Sequence, residues 1–184
     1  MGGIFKLNPR VDDLPEEIGY RLDGIPLLVT GKSKAAASGC YCPENVLLRR
    51  LLKHLVVERD EIVIVDMEAG IEHLTRGTAE AVDAFIVVVE PGQRSIQTAN
   101  TVKEMAQGLG VRHVFVVANK VRNDGDISFL KEHIKGMELL GAIRFDQSVM
   151  DADVRGDSPF HAAEEVVKEI SGIKRKLEGL IKEP

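Results

Sequence analysis

The chain has 184 residues, of which 44% are apolar and 29% charged, a balance that suits one buried core and argues against disorder. Its 24 basic and 29 acidic residues leave a formal charge of -5, which argues against a broad nucleic-acid or anionic-membrane surface. The longest apolar run is six residues, Ala84 to Val89, where a membrane-spanning helix needs about 20. Two cysteines are too few for a disulfide scaffold, and Met1 to Lys6 shows no secretory apolar stretch, so a reducing, cytoplasmic setting is expected.

Residues 1–24 read as irregular, punctuated by turn signals at Asn8-Pro9, Leu14-Pro15 and Asp23-Gly24. The run Ile25 to Val29 suggests a short strand, followed by a small-residue loop from Gly31 to Gly39. Pro43 fits the first position of a helix, where its missing N–H costs nothing, and that helix is expected to reach about Val57. Three further runs, Ile62–Val65, Ala84–Val89 and Val114–Ala118, are β-branched and apolar throughout. Such runs are expected of parallel strands buried on both faces. Helices are expected over Ser95–Leu109, with Gly110 as its stop, over Ile127–Lys135, capped by Asp126, and over about Phe160–Ile181. Strands alternating with helices predict a single doubly wound α/β domain spanning 1–184, with a mostly parallel sheet. Ligands of such sheets bind at the carboxyl ends of the strands, which directs attention to the loops after Val65, Val89, Ala118 and about Phe145.

Three local patterns carry chemistry. Asp66-Met67-Glu68-Ala69-Gly70 follows an apolar strand run. Its aspartate is placed to hold Mg²⁺ through a water, and Gly70 to bring a backbone N–H close to a phosphate. The plainer alternative is an aspartate that merely ends a strand. Asn119-Lys120 follows the strand 114–118. An amide there can pair with a purine edge and a lysine stem can lie along the base; the alternative is a turn with a solvated lysine. Cys40 and Cys42 are one residue apart and can face one ion. Two thiolates are half of a closed four-ligand Zn²⁺ site, so a second copy would supply the rest, and the helix N-terminus at Pro43 favours thiolate. The alternative is a pair of ordinary reduced cysteines. A fourth pattern fails: Gly31-Lys32-Ser33 resembles the end of a P-loop, but the glycine required five positions earlier is Pro26.

Taken in order, Gly3 to Pro15, Cys40-Tyr41-Cys42-Pro43-Glu44-Asn45, Asp66 to Leu74, Val89-Glu90-Pro91 and Asn119-Lys120-Val121 resemble the nickel-insertion accessory ATPases of carbon monoxide dehydrogenase, the CooC type, in the MinD-like branch of P-loop NTPases. The resemblance covers essentially the whole chain. It implies that Cys40 and Cys42 form a metal site for Ni or Zn shared between two subunits, that Asp66 to Gly70 are the Walker B and switch II stretch, and that Asn119 contacts adenine. It also implies a homodimer whose ATP-dependent assembly is coupled to nickel delivery, with carbon monoxide dehydrogenase as client. The family's P-loop strand, signature lysine and switch I aspartate precede the region matched here. A MinD-like fold without its P-loop strand is therefore expected, with ATP/Mg binding and hydrolysis impaired in this chain alone, because those missing groups make most of the phosphate contacts. A separate P-loop polypeptide could complete the site. A non-catalytic module of the same fold is the remaining alternative. Neither nucleic acid nor membrane is an expected partner.

Overall fold

A computed structural model describes residues 19–29, 62–67 and 82–181. The chain divides into two compact units, Met1–Ala81 and Val82–Pro184.

In the first unit, β1 (Tyr20–Leu22) and β2 (Ile25–Leu27) form an antiparallel hairpin with Leu22 opposite Ile25. Its two-residue turn is Asp23-Gly24, with φ of 50° and 84°. Both values are positive, as a turn matched to the twist of a hairpin requires, and Asp-Gly is among the sequences that adopt it readily. The strand expected from Ile25 is therefore present but ends at Leu27, and Tyr20–Leu22, expected to be irregular, is its partner. Residues 62–67 carry no strand, which corrects the expected strand Ile62–Val65. A strand exists only where a neighbour completes its ladder, and Ile62 and Ile64 are 80% and 87% exposed. The expected helix from Pro43, like Cys40, Cys42 and Gly70, lies outside the described residues.

The second unit is an α/β layer structure. Strand β3 (Ala84–Val89) pairs in parallel with β4 (His113–Val121), and β4 in parallel with β5 (Glu138–Arg144), giving the order β3-β4-β5. Helices α1 (Gln93–Gly108), α2 (Asp124–His133), α3 (Gln147–Arg155), α4 (Pro159–Ala162) and α5 (Glu164–Ile181) complete it. The first two connections are β-α-β crossovers, the arrangement that parallel pairing demands.

The sequence sets the helix boundaries through local chemistry. Helix α1 stops where expected: the Gly110 N–H donates to the Gln107 carbonyl and the Val111 N–H to the Ala106 carbonyl, with Gly110 at φ 86°. This is a Schellman closure, and the positive φ is what glycine permits. Helix α2 begins earlier than expected. Its cap is Asn123, whose side chain accepts from the Asp126 N–H at 3.1 Å, while Asp126 turns back to accept from the Arg122 N–H at 2.9 Å. The two side chains thus satisfy donors reciprocally, in the manner of a capping box. Helix α3, not anticipated from the sequence, is bounded by Asp146, which accepts from the Ser148 N–H, and by Gly156 at φ 72°. The expected single terminal helix is broken at Ala163 into α4 and α5.

The two faces of the sheet carry separate clusters. On one, Val89, Val116, Ala118 and Val121 pack with Ile96 and Ala99 of α1 and Leu130 of α2. On the other, Phe115, Val117 and Leu140 meet Ile173, Leu177 and Leu180 of α5. Gly141 permits this second contact, because a Cβ there would lie 2.6 Å from Ile173 Cγ1. Strand β4 is thus buried on both faces, as its composition predicts. Strand β3 is not: Ile86 and Val88 are 45% and 59% exposed. They share a face with Ala84, which packs toward α5, and α5 lies principally against β5.

Candidate functional site

Parallel pairing places the carboxyl ends of β3, β4 and β5 at one edge of the sheet, where Glu90 follows β3, Asn119-Lys120 lie near the end of β4 and Phe145-Asp146 follow β5. Between Ala118 and Val121 of β4, two residues, Asn119 and Lys120, stand opposite the single Ile143 of β5. This is a β-bulge, a device that re-aims side chains at the rim of a sheet. Lys120 adopts φ 53°, a left-handed conformation that costs a residue with a Cβ about 1–2 kcal/mol. Such a conformation persists only where the surrounding structure over-determines it, here by a ladder that resumes at Val121.

Beside the bulge lies a cleft of about 290 Å³. Asn119, Lys120, Arg144 and Asp146 give it polar groups, while Ile143, Phe145, Val149, Met150, Pro159, Val166 and Ile170 make its wall predominantly apolar. Phe145, Met150 and Ile170 remain about half exposed, as apolar residues at the mouth of a binding cleft do. A largely apolar cleft with a few convergent polar groups suits a flat heteroaromatic ring that needs one or two edge hydrogen bonds.

The polar rim is fastened in place. Lys120 Nζ lies 2.6 Å from Glu90 Oε1, both side chains about half exposed, and the Glu90 N–H donates to Ser95 Oγ at 3.0 Å. The Arg144 N–H donates to Glu169 Oε2 at 2.8 Å. The Asp146 carboxylate accepts from the Ser148 hydroxyl at 2.6 Å and from its N–H at 2.8 Å. The Ser148 hydroxyl first, and then its N–H, hold the Asp146 carboxyl below the usual carboxylate range. Asp126, at the exit of β4, is likewise held low, chiefly by the Arg122 N–H.

These two shifts fix the sign of an acid dependence. A carboxyl whose folded pKa lies below its unfolded value of about 4 contributes stability that is full above that value and is lost as pH falls through the folded pKa. Thermal midpoints measured between pH 5 and pH 2 should therefore fall less steeply for Asp126→Asn than for the unmodified chain. Parallel curves would mean that the Arg122 contact does not discriminate between the ionised and neutral carboxyl.

Of the residues singled out in the sequence, the structure brings Asn119 and Lys120 together on the bulge. Asp66 is exposed and belongs to the first unit, and Cys40, Cys42 and Gly70 lie outside the described residues. Among the described residues, no three His, Cys, Asp or Glu side chains gather as a metal site, and no helix is long and apolar enough to cross a membrane. Glu90 and the loop about Phe145 were marked in the sequence by position alone, without a role; Asp146 and Met150 were not singled out, although Asp146 follows directly on that strand end.

No family model matches the chain. It is 46% identical over 175 residues to ATP-binding protein MJ0823 of Methanocaldococcus jannaschii, covering 94% of this chain and 67% of that protein. It is 46% identical over 155 residues to carbon monoxide dehydrogenase accessory protein CooC of Rhodospirillum rubrum, covering 84% of this chain and 59% of that protein. A second ATP-binding protein of M. jannaschii, MJ0084, is 34% identical over 179 residues, covering 97% of this chain and 68% of that protein. The chain thus spans about three fifths to two thirds of the length of these relatives. Among solved structures, the MinD cell division protein of Aquifex aeolicus superposes with a TM-score of 0.48 at 21% identity, covering 56% of this chain and 47% of that one.

Proposed function

The chain belongs to the CooC-type family of MinD-like ATP-binding proteins, and from that premise we propose that it is an accessory protein for nickel insertion into carbon monoxide dehydrogenase. The observation that carries the proposal is the 46% identity to a protein named as a carbon monoxide dehydrogenase accessory protein. Cys40 and Cys42 are the metal-binding groups in this reading. Thiolates suit Zn²⁺ and Ni²⁺ alike, and two from each chain complete a four-thiolate site only in a homodimer. The client is carbon monoxide dehydrogenase and the setting cytoplasmic.

The nucleotide side of the proposal rests on the cleft at the bulge. Asn119 offers its amide to the edge of an adenine base, the Lys120 stem lies along the ring, and the apolar wall excludes water from the other side. Asp66 holds Mg²⁺ through water and Gly70 approaches the terminal phosphate, as their places in the Walker B-like stretch suggest. The 184 residues contain no Walker-type glycine-rich phosphate loop, so in this reading the base is held better than the phosphates, and ATP hydrolysis by this chain alone is impaired. A second reading is an ATPase site completed by a separate P-loop polypeptide, with this chain supplying the base-binding cleft.

The test is activation of nickel-free carbon monoxide dehydrogenase at limiting Ni²⁺. Added protein should raise the recovered CO-oxidising activity, and Cys40→Ser/Cys42→Ser should not. Equal recovery with and without the protein, at every Ni²⁺ level, overturns the accessory role. If recovery needs an added P-loop polypeptide and ATP, the second reading holds.

A further inference from the structure

We infer that Glu90 is the positioning residue for Lys120, and that through Lys120 it sets how tightly the cleft at the end of β4 takes a purine base. This rests on the purine reading of that cleft and deepens it.

The inference begins with the bulge. The extra residue in β4 puts Lys120 at φ 53°, beside Asn119 and opposite Ile143. Backbone geometry alone does not fix a lysine side chain, which has four rotatable bonds and loses much rotamer freedom when held. Here its far end is held. Lys120 Nζ is 2.6 Å from Glu90 Oε1, and Lys120 also lines the cleft. A lysine fixed at both ends presents its methylene stem as an apolar surface while its charge stays at the rim.

Glu90 is fitted for this task by its own anchorage. Val89 pairs with Ala118 in the parallel ladder, so the residue that follows β3, Glu90, comes level with the bulge. Its N–H donates to Ser95 Oγ at 3.0 Å, which ties the strand end to the first turn of α1. The contact is electrostatically modest, since both partners are about half exposed and exposed pairs contribute little to stability. Its consequence is geometric. With Glu90 removed, the ammonium loses its tether, and an acidic side chain that lines the same cleft is Asp146. A lysine that reaches for Asp146 lies across the space the ring needs.

Adenosine is the suitable probe, because it carries no phosphate on which the Glu90 charge could act directly. Calorimetric titration of the full chain with adenosine should show Glu90→Ala binding about two- to fivefold more weakly, the range expected when a half-exposed tether is lost. In a Lys120→Met background, whatever that change does by itself, Glu90→Ala should add nothing. Raising the salt from 0.05 to 1 M should weaken adenosine binding by the unmodified chain toward the Glu90→Ala value, because a half-exposed pair is screened, and should leave Glu90→Ala unmoved. Thermal midpoints of each variant verify folding. If the unmodified chain binds adenosine and Glu90→Ala binds it equally well, or if the Glu90 effect persists in the Lys120→Met background, the inference is overturned and the purine reading stands. If the unmodified chain binds no adenosine, the purine reading itself falls and takes the inference with it.

Discussion

Replacing Cys40 and Cys42 together by serine is expected to reduce the Zn²⁺ or Ni²⁺ in the purified protein to background and to leave it at the native mass of one chain. The magnitude follows from the ligand count. A closed site takes four donors, and one chain offers two cysteines in all, so the double variant removes every thiolate from both halves of a shared site. A hydroxyl does not replace a thiolate, because it stays protonated near neutral pH and is a poor ligand for these ions. The single variants are informative in a different way. Each leaves two sulfurs around a shared ion, one per chain, and should retain weak metal binding and a concentration-dependent dimer. Lowering the pH should release metal from the unmodified protein as protons compete for the thiolates. Metal content and native mass that stay unchanged in the double variant would remove the metal site from the proposed function, leaving the kinship to CooC as ancestry alone.

The cysteines stood out in the sequence because a candidate metal site is recognised by residue type and spacing. The cleft at β4 is written differently. Asn119-Lys120 was noticeable because a polar pair follows an apolar strand run, and a strand's carboxyl end is where α/β sheets bind ligands. Phe145 and Asp146 join its lining and Glu90 reaches Lys120; the sequence marks the loops after Val89 and about Phe145, but which side chains meet there depends on the register of three parallel strands, a long-range property that no local window contains. The bulge was hidden for a related reason. An apolar run ends at Ala118, yet β4 continues to Val121, because one extra residue lets the ladder resume beyond two polar ones. The strand Ala84–Val89 was legible to the residue, being an apolar run bounded by Asp83 and Glu90. A run of the same character at 62–65 is not a strand, which shows that composition proposes a strand and pairing decides it. Asp-Gly at 23–24 is a strong hairpin signal, but its flank Tyr20–Leu22 is only three residues long, too short for alternation to register. Helix α3 escaped notice because its nine residues bury little, and its two ends, Asp146 and Gly156, were not read as cap and stop.

The strand that carries the bulge depends on the helix beneath it, and Leu130→Ala measures that dependence. Leu130 is fully buried, in the cluster that joins α1 and α2 to Val89, Val116 and Val121. Its truncation removes transfer free energy and leaves a cavity. The cavity cannot collapse far, because the cluster is bounded by a three-stranded sheet on one side and by α1 on the other. The expected loss is about 3 kcal/mol, within the roughly 2–5 kcal/mol that such substitutions cost, and should lower the thermal midpoint by on the order of 10 °C. Val154→Ala is the matched comparison. Val154 is an apolar residue on α3, 86% exposed, and its loss should stay within about 0.5 kcal/mol. Equal losses would mean that the cluster around Leu130 is not the core that holds the second unit. The functional consequence separates from the thermodynamic one below the midpoint. Val121 packs with Leu130 immediately after Lys120, so a mobile Val121 loosens the bulge before the sheet melts. Adenosine affinity in Leu130→Ala at 25 °C, where most of the chain is still folded, should therefore fall more than the folded fraction does, and Val154→Ala should leave it where it was.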